Sequence, residues 1–170
     1  MSAAAFRSKS ASFALGPVPS HWPAAARIYA EGLDQGTFEE RVPPFEEWDA
    51  GHLPEPRLVA LADGDVVGWA ALSPVSRREC YRGVTEVSVY VARAARRRGI
   101  GRALLEELVR RADDAGIWTI QAGILAGNAP SVALHSSCGF RIVGTRERIA
   151  QKRGEWLDVV LMERRSEVVA

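Results

Sequence analysis

The stretch from Ser88 to Leu105 constrains the fold more than any other part of the sequence. A β-branched run ending at Val91 leads into an arginine-rich turn with Gly99 and Gly101, and leucines at helical spacing follow. A strand, a turn and a helix N-terminus in direct succession favour anion binding, because the first helical amides lack intrahelical partners. Glycines let a phosphate approach the backbone. The stretch therefore predicts a diphosphate-binding loop between a strand and a helix.

Spacing excludes two other kinds of phosphate loop. A Walker loop needs Lys and then Ser or Thr after its last glycine, and a dinucleotide fingerprint needs three glycines and a later acidic residue. This chain instead has Arg96, Gly99 and Gly101 in the order Arg-x-x-Gly-x-Gly. A solvated basic turn that caps a helix is the alternative interpretation.

The charge balance limits the partners of this loop. The chain has 22 basic and 21 acidic residues and a formal net charge of +1, whereas binding a nucleic-acid backbone usually requires a basic excess. The basic residues near the loop nevertheless form a local patch, made of Arg93, Arg96, Arg97, Arg98 and Arg102. We therefore expect a small polyanion as ligand and no nucleic-acid partner.

The pattern of predicted elements indicates a single domain. A helix, a β-hairpin around Asp63-Gly64-Asp65 and then the order β-α-β-α-β-β are typical of an α/β or α+β fold with a mixed sheet flanked by helices. A chain of 170 residues has the length of one domain. We expect a disordered tail over residues 1–14 and one domain over residues 15–165.

Cysteine usage and hydropathy suggest the compartment. Cys80 and Cys138 are the two cysteines, with no CxxC pair and no secretory apolar region. This pattern argues against a disulfide framework and a structural zinc site. The apolar residues near the N-terminus are too scattered for a membrane span. We therefore expect a cytoplasmic protein without a metal ion.

Four segments resemble the GNAT superfamily of N-acetyltransferases. The Arg96 to Gly101 pattern resembles its acetyl-CoA pyrophosphate loop, and the segment from Asn128 to Phe140 resembles its second cofactor segment. Tyr81 to Val91 and Lys152 to Met162 are similar to the substrate strand and closing segment of the phosphinothricin N-acetyltransferase branch. The resemblance implies the GNAT acyl-CoA N-acyltransferase fold, with a mostly antiparallel mixed sheet. It also implies acetyl-CoA as co-substrate, a small amino-acid-like amine as acceptor, and a homodimer.

The resemblance implies a cofactor site in two parts. The main chain of Val89 and Val91, with Tyr90 between them, would pair with the pantetheine amides as a strand would. Asn128 and Ser131 would contact the pantetheine arm, although Asn128 could equally be only a helix cap. The diphosphate contacts would come from the turn and the helix start, namely Arg96, Arg97, Arg98, Gly99, Ile100, Gly101 and Arg102.

Two residues are candidates for proton transfer. Amide formation from a thioester needs a neutral amine, so a base must deprotonate the ammonium form. Glu86 lies in a β-branched strand that should raise its proton affinity, and the resemblance places the family's catalytic glutamate there. A solvent-exposed carboxylate without a catalytic role is the alternative for Glu86. The resemblance also implies that His135 protonates the departing thiolate or assists Glu86. A structural hydrogen-bonding role is the alternative for His135.

The acceptor side departs from the family pattern. A guanidinium suits an amino-acid carboxylate, and Arg82 resembles the family's substrate arginine. Val87 replaces a common histidine, and Ser76-Arg77-Arg78 replaces a common Arg-Pro pair. These departures leave a different small amine, or a non-catalytic acyl-CoA sensor, as alternatives. The other implied acceptor contacts are Thr37, Phe38, Glu86, Val87, Ser88 and Trp156.

Overall fold

The computed structural model describes residues 11–34 and 36–169, which form seven strands, four helices and two short 3-10 turns. The strands are β1 (Ser12–Leu15), β2 (Arg57–Ala62), β3 (Asp65–Pro74), β4 (Val84–Val91), β5 (Thr119–Leu125), β6 (Arg141–Lys152) and β7 (Glu155–Arg165). The helices are α1 (Trp22–Ala30), α2 (Phe45–Gly51), α3 (Ile100–Asp114) and α4 (Ala129–Ser137), and the 3-10 turns are Glu79–Tyr81 and Arg93–Ala95. None of the described helices is long and apolar enough to cross a membrane.

The seven strands form one sheet in the order β1-β2-β3-β4-β5-β7-β6. All neighbouring strands are antiparallel except β4 and β5, which are parallel. The hairpin predicted around Asp63-Gly64-Asp65 is β2 and β3. The mixed, mostly antiparallel sheet with flanking helices that the sequence predicts is confirmed.

The N-terminal boundary differs from the expected one. Strand β1 occupies the end of the predicted tail, with Ser12 opposite Leu61 and Leu15 opposite Leu58. Four residues carry too little alternation to reveal a strand, and β1 forms because β2 offers it a free edge. Residues 1–10 of the predicted tail lie outside the described residues.

Two apolar clusters cover the two faces of the sheet. One lies under α3 and includes Leu104, Leu108 and Val87. The other lies under α1 and α2 and includes Trp48 and Trp69, with Tyr90 packed against it. Side chains alternate between faces along a strand. Glu86, Ser88 and Tyr90 therefore share the face of α1.

The sheet splits between β4 and β5. Strand β4 pairs with β3 from Thr85 to Val91, and β5 pairs with β7 from Thr119 to Leu125. Between β4 and β5, by contrast, the described register ends at Glu86 opposite Gln121. The two strands diverge beyond that pair, and we call the gap between them the cleft. The main-chain groups along this edge of β4 are available to a ligand that pairs as a strand does.

Candidate active site

The arginine-rich turn and the start of α3 form one side of the cleft. Gly99 caps α3 with φ 77°, and a Cβ there would point into open space. Arg97 also has a positive φ, 59°, so the chain turns sharply twice before the helix. Such a turn in front of free helical amides is a favourable place for an anion. The predicted diphosphate loop therefore has the required backbone.

Gly101 joins this turn to the rest of the cleft. A Cβ on Gly101 would lie 3.4 Å from Val91 Cγ2 and 3.4 Å from Leu134 Cδ2. The start of α3, the end of β4 and α4 therefore meet at this glycine. The two predicted cofactor segments are thus brought together in space.

The side chains around the turn have different roles. Arg96 Nε donates to the Val91 carbonyl oxygen at 3.1 Å, which fixes the turn to the end of β4. Arg102 Nε instead donates to Glu106 Oε1 at 2.7 Å along the surface of α3. Ile100 is buried in the core, so only its main chain can contact a ligand. Arg97 and Arg98 are exposed and complete the local positive charge.

Asn128 is the N-cap of α4. Its Oδ1 accepts a hydrogen bond from the Ser131 amide at 3.2 Å, so the capping role is present. A side-chain amide also carries two N–H donors, which this cap does not use. The structural and ligand-binding interpretations are compatible.

His135 is a buried, neutral imidazole. Its Nδ1 lies 2.8 Å from the Ser131 carbonyl oxygen, which can only accept, so Nδ1 carries the proton. Its Nε2 is then a lone-pair acceptor, and within the described residues it is buried without a partner. Burial also lowers the pKa of His135. In this state His135 has no Nε2 proton to donate to a thiolate.

Glu86 stands where β4 and β5 separate. Its side chain borders the open cleft and is solvent-accessible, while protein atoms on the other sides exclude enough water to raise the pKa of its carboxyl. The positive charge of Arg146 acts against this shift. A carboxyl of raised pKa beside a ligand-sized gap is a typical general-base arrangement.

Gly123 on β5 lies beside both Glu86 and Phe38. A Cβ built on Gly123 would lie 3.8 Å from Glu86 Oε2, 3.9 Å from Phe38 Cε2 and 3.6 Å from Val159 Cγ1. The structure therefore brings Glu86 and the predicted acceptor residue Phe38 to one place. The sequence analysis missed Gly123, although an isolated glycine in a strand often marks a close approach.

Arg146 is a second residue that the sequence analysis missed. It pairs in register with Val159 on β7, so both residues share the face of the sheet that carries Glu86. Arg146 lies in a β6 segment with no motif and with an irregular register after residue 146. No sequence signal marks which of the three β6 arginines faces the pocket.

Two predicted acceptor residues lie on the other face of the sheet. The Val87 side chain is buried in the cluster under α3, so Val87 has only main-chain atoms to offer an acceptor. Trp156 has the strand parity of Val160 and Met162, whose side chains pack on the α3 side. Trp156 is also 54% exposed, with the Arg148 guanidinium 5.2 Å from its ring. The chain does not bring Trp156 to Glu86.

Two further predicted acceptor residues, Thr37 and Arg82, contact other protein groups. Thr37 is buried, and its Oγ1 accepts a hydrogen bond from the Glu39 amide at 3.2 Å. Its side chain also lowers the pKa of the Tyr29 and Tyr90 hydroxyls against the rise that burial causes. Arg82 is exposed, 5.2 Å from the Trp118 ring and 3.7 Å from Glu79 Oε1. No three His, Cys, Asp or Glu side chains among the described residues converge as ligands for a metal ion.

Comparisons with known proteins agree with this geometry. The model of the acetyltransferase (GNAT) family matches residues 22–140. The chain is 37% identical to a phosphinothricin N-acetyltransferase of Alcaligenes faecalis over 84% of this chain and 76% of that protein. It is 41% identical to an L-methionine sulfoximine/L-methionine sulfone acetyltransferase of Pseudomonas paraeruginosa over 64% of this chain and 63% of that protein, a match that spans less than two thirds of the relative.

The fold also matches a solved structure with its acyl donor. A phosphinothricin acetyltransferase of Sinorhizobium meliloti in complex with acetyl-CoA superposes with a TM-score of 0.81 at 34% identity, covering 91% of this chain and 88% of that one. The left-handed turn at the start of α3 and the edge of β4 beyond its pairing with β5 have the backbone groups that an acyl-CoA ligand requires. The chain therefore belongs to the acetyltransferase (GNAT) family, as an acetyl-CoA-dependent enzyme related to the phosphinothricin N-acetyltransferases.

Proposed function

We propose that this enzyme acetylates the α-amine of a small amino-acid-like acceptor of the phosphinothricin or methionine sulfoximine type, with Glu86 as general base. The observation that carries the proposal is the position of Glu86, at the fork of the sheet and beside Phe38 and Gly123. The names of the two relatives support the acceptor class.

The donor side uses main-chain groups. Acetyl-CoA supplies an acetyl group activated as a thioester. The turn over residues 96–102 holds the diphosphate, and the free edge of β4 pairs with the pantetheine amides. The Val89 amide polarises the carbonyl to be attacked, because a fixed N–H donor stabilises the negative charge that develops on that oxygen.

Glu86 deprotonates the acceptor amine. An α-ammonium group is charged at neutral pH and has no lone pair, so it must lose a proton before it attacks. Glu86 accepts this proton directly or through a water molecule. Burial raises the pKa of its carboxyl, which brings the proton affinity of the base nearer to that of the amine. The acetyl group then passes to the amine without a covalent bond to the enzyme.

In this proposal His135 has a structural role and does not transfer a proton. Its proton lies on Nδ1 and is donated to Ser131, so it must first become charged before it can protonate a thiolate at Nε2. Burial opposes that charge, since it lowers the pKa of His135. We therefore assign protonation of the thiolate to water, and we assign His135 to the packing of α4.

Turnover with an acceptor panel tests the proposal. Purified enzyme is incubated with acetyl-CoA and phosphinothricin, methionine sulfoximine, methionine sulfone or an ordinary amino acid, and free thiol and acetylated product are measured. We expect thiol release only when the acceptor has a free α-amine. Matched controls are the same acceptors with the amine already acetylated. Background hydrolysis alone with every amine would contradict the proposal.

We also propose a cytoplasmic homodimer. Strand β6 lies at the edge of the sheet and exposes Ile142, Val143 and Ile149, while Trp156 is exposed on β7 beside it. An exposed apolar edge strand favours pairing with a second copy. Both cysteines are free thiols, which suits a reducing compartment. Light scattering should give twice the monomer mass, and a monomer at micromolar concentration would contradict the dimer.

A further inference from the structure

Lys152 is a buried lysine in a chain that otherwise relies on arginine. Twenty of the 22 basic residues are arginine, and Lys152 is one of two lysines. It ends β6, and only 9% of it is accessible to solvent. Its Nζ donates to the carbonyl oxygens of Leu33 and Thr37, at 2.6 and 2.7 Å. Burying an ammonium group is costly unless it is well hydrogen-bonded, so the buried Lys152 requires these two hydrogen bonds.

The two carbonyls belong to the loop between α1 and α2. Within this loop, the Thr37 hydroxyl accepts from the Glu39 amide at 3.2 Å. Next to Lys152, the Arg153 amide donates to Glu40 Oε1 at 2.9 Å. The β6–β7 turn thus fixes the segment of residues 36–40 through two consecutive residues. We call it the Phe38 segment.

The Phe38 segment forms one wall of the pocket. Phe38 directly follows the residue whose carbonyl Lys152 holds, and its ring lies beside the Gly123 position that also borders Glu86 Oε2. A shift of the Thr37 carbonyl would therefore move Phe38 relative to Glu86. Misplacement of a pocket wall by about 1 Å can cost a factor of about 100 in rate.

The choice of lysine fits this geometry. An ammonium group is compact and donates in three directions, whereas a guanidinium is a planar fork. Two carbonyl oxygens from one short loop segment, each within 2.7 Å of one nitrogen, suit the ammonium. Arginine at this position would push the two carbonyls apart.

We propose that Lys152 is a positioning residue: it fixes the Phe38 segment so that Phe38 closes the acceptor pocket over Glu86, and it thereby sets which acceptor side chains fit. The kinetic part of this inference rests on the proposed acetyl transfer to an amino-acid-like amine. The structural part, fixation of the Phe38 segment by Lys152, does not depend on the acceptor.

Kinetics of Lys152→Met test the effect on the pocket. Met keeps the length and removes the donors. We expect kcat/KM for the acceptor to fall about 10- to 100-fold, mainly through KM, with a changed ratio between bulky and small acceptors. The Kd of acetyl-CoA should stay within about twofold, because the donor side is built from other segments. An equal loss for all acceptors, or no loss, would overturn the proposal.

Two further substitutions accompany Lys152→Met: one is a control, and the other tests the geometric argument. Arg153→Gln removes a neighbouring charge on the same turn, and since that side chain is exposed, we expect wild-type kinetics and selectivity. Lys152→Arg keeps the charge but should show the same defect as Lys152→Met. Full activity of Lys152→Arg would overturn the geometric argument, because charge alone would then be sufficient.

Hydrogen exchange gives a readout that needs no acceptor. In Lys152→Met, peptides that contain residues 36–40 should exchange at least about tenfold faster, while peptides of α3 stay unchanged. Unchanged exchange at residues 36–40 would overturn the proposal. Faster exchange in this variant, together with a wild-type enzyme that acetylates no amino acid, would reject the proposed function and keep the fixation by Lys152.

If Lys152→Met does not fold, Phe38→Ala tests the same inference. Phe38 is 36% exposed, so its truncation should leave the fold intact while it opens the same wall. We expect the acceptor ratio to change in the same direction as in Lys152→Met. In the double variant the two changes should be strongly non-additive, since both act through one ring. No change of the ratio in Phe38→Ala would overturn the proposal.

Discussion

The two sides of the cleft are built in different ways. The proposed donor side is nearly continuous in sequence, since β4, the turn with Gly99 and the start of α3 follow one another and would act mainly through main-chain groups. The proposed acceptor side is assembled from distant segments: Glu86 on β4, Phe38 on a loop, Gly123 on β5 and Arg146 on β6. A backbone site tolerates many changes of side chain, whereas an assembled pocket depends on each contributor. We therefore expect substitutions to separate acetyl-CoA binding from acceptor chemistry.

Glu86→Gln should have the largest effect. It removes the proton acceptor and keeps the shape of the side chain, so kcat should fall by a factor of about 100 to 10,000. The Kd of acetyl-CoA, measured by calorimetry, should remain close to that of the wild type. A parallel loss of acetyl-CoA affinity would mean that the two sides are not separable, and full activity would remove Glu86 as the base.

Gly123→Ala should change selectivity more than rate. The new methyl group meets Glu86, Phe38 and Val159 at ordinary contact distances, so the protein should fold, but the pocket becomes smaller. We expect the kcat/KM ratio of a bulky to a small acceptor to fall about tenfold. Competition between two acceptors in one reaction measures this ratio directly. An unchanged ratio would place the acceptor elsewhere.

Gly99→Ala is the matched change on the donor side. A Cβ at Gly99 meets no atom, so its effect comes from the left-handed backbone, which costs an alanine about 1 kcal/mol. The turn should relax, and acetyl-CoA should bind about fivefold more weakly at an unchanged acceptor ratio. A change in that ratio would contradict the separation of the two sides.

Arg146→Gln should produce the smallest effect, a shift of the pH profile. The proposed mechanism requires the ionised form of Glu86, and the charge of Arg146 lowers the pKa of that carboxyl. Without Arg146 the pKa rises further, so the acidic limb of kcat/KM should move to higher pH while the rate above the limb stays the same. Arg148→Gln, a neighbouring β6 arginine over the Trp156 ring, is the control and should leave the limb in place.

The same contrast explains what the sequence could predict. The strand, the turn and the helix around Gly99 are local, so their pattern alone predicted the diphosphate loop. Glu86 was predicted because it interrupts a β-branched strand and because the resemblance places the family's catalytic glutamate there. Gly123, Arg146 and Lys152 were not, since their roles depend on strand order and on the irregular register of β6. Val87 and Trp156 were placed at the acceptor by resemblance, and strand parity puts their side chains on the opposite face.

The short parallel register between β4 and β5 has a consequence for the mechanics of the molecule. It is the one ladder that joins the β1–β4 half of the described sheet to the β5–β7 half, and it ends at Glu86. The two halves also share the apolar cluster under α3, which includes Ile120 and Met162, and Arg164 of β7 pairs with Asp113 of α3. Acetyl-CoA paired with the free edge of β4 would add hydrogen bonds next to this short ladder. The enzyme loaded with acetyl-CoA should therefore resist heat and unfolding force better than the free enzyme, with the stiffening concentrated around Glu86, the proposed base.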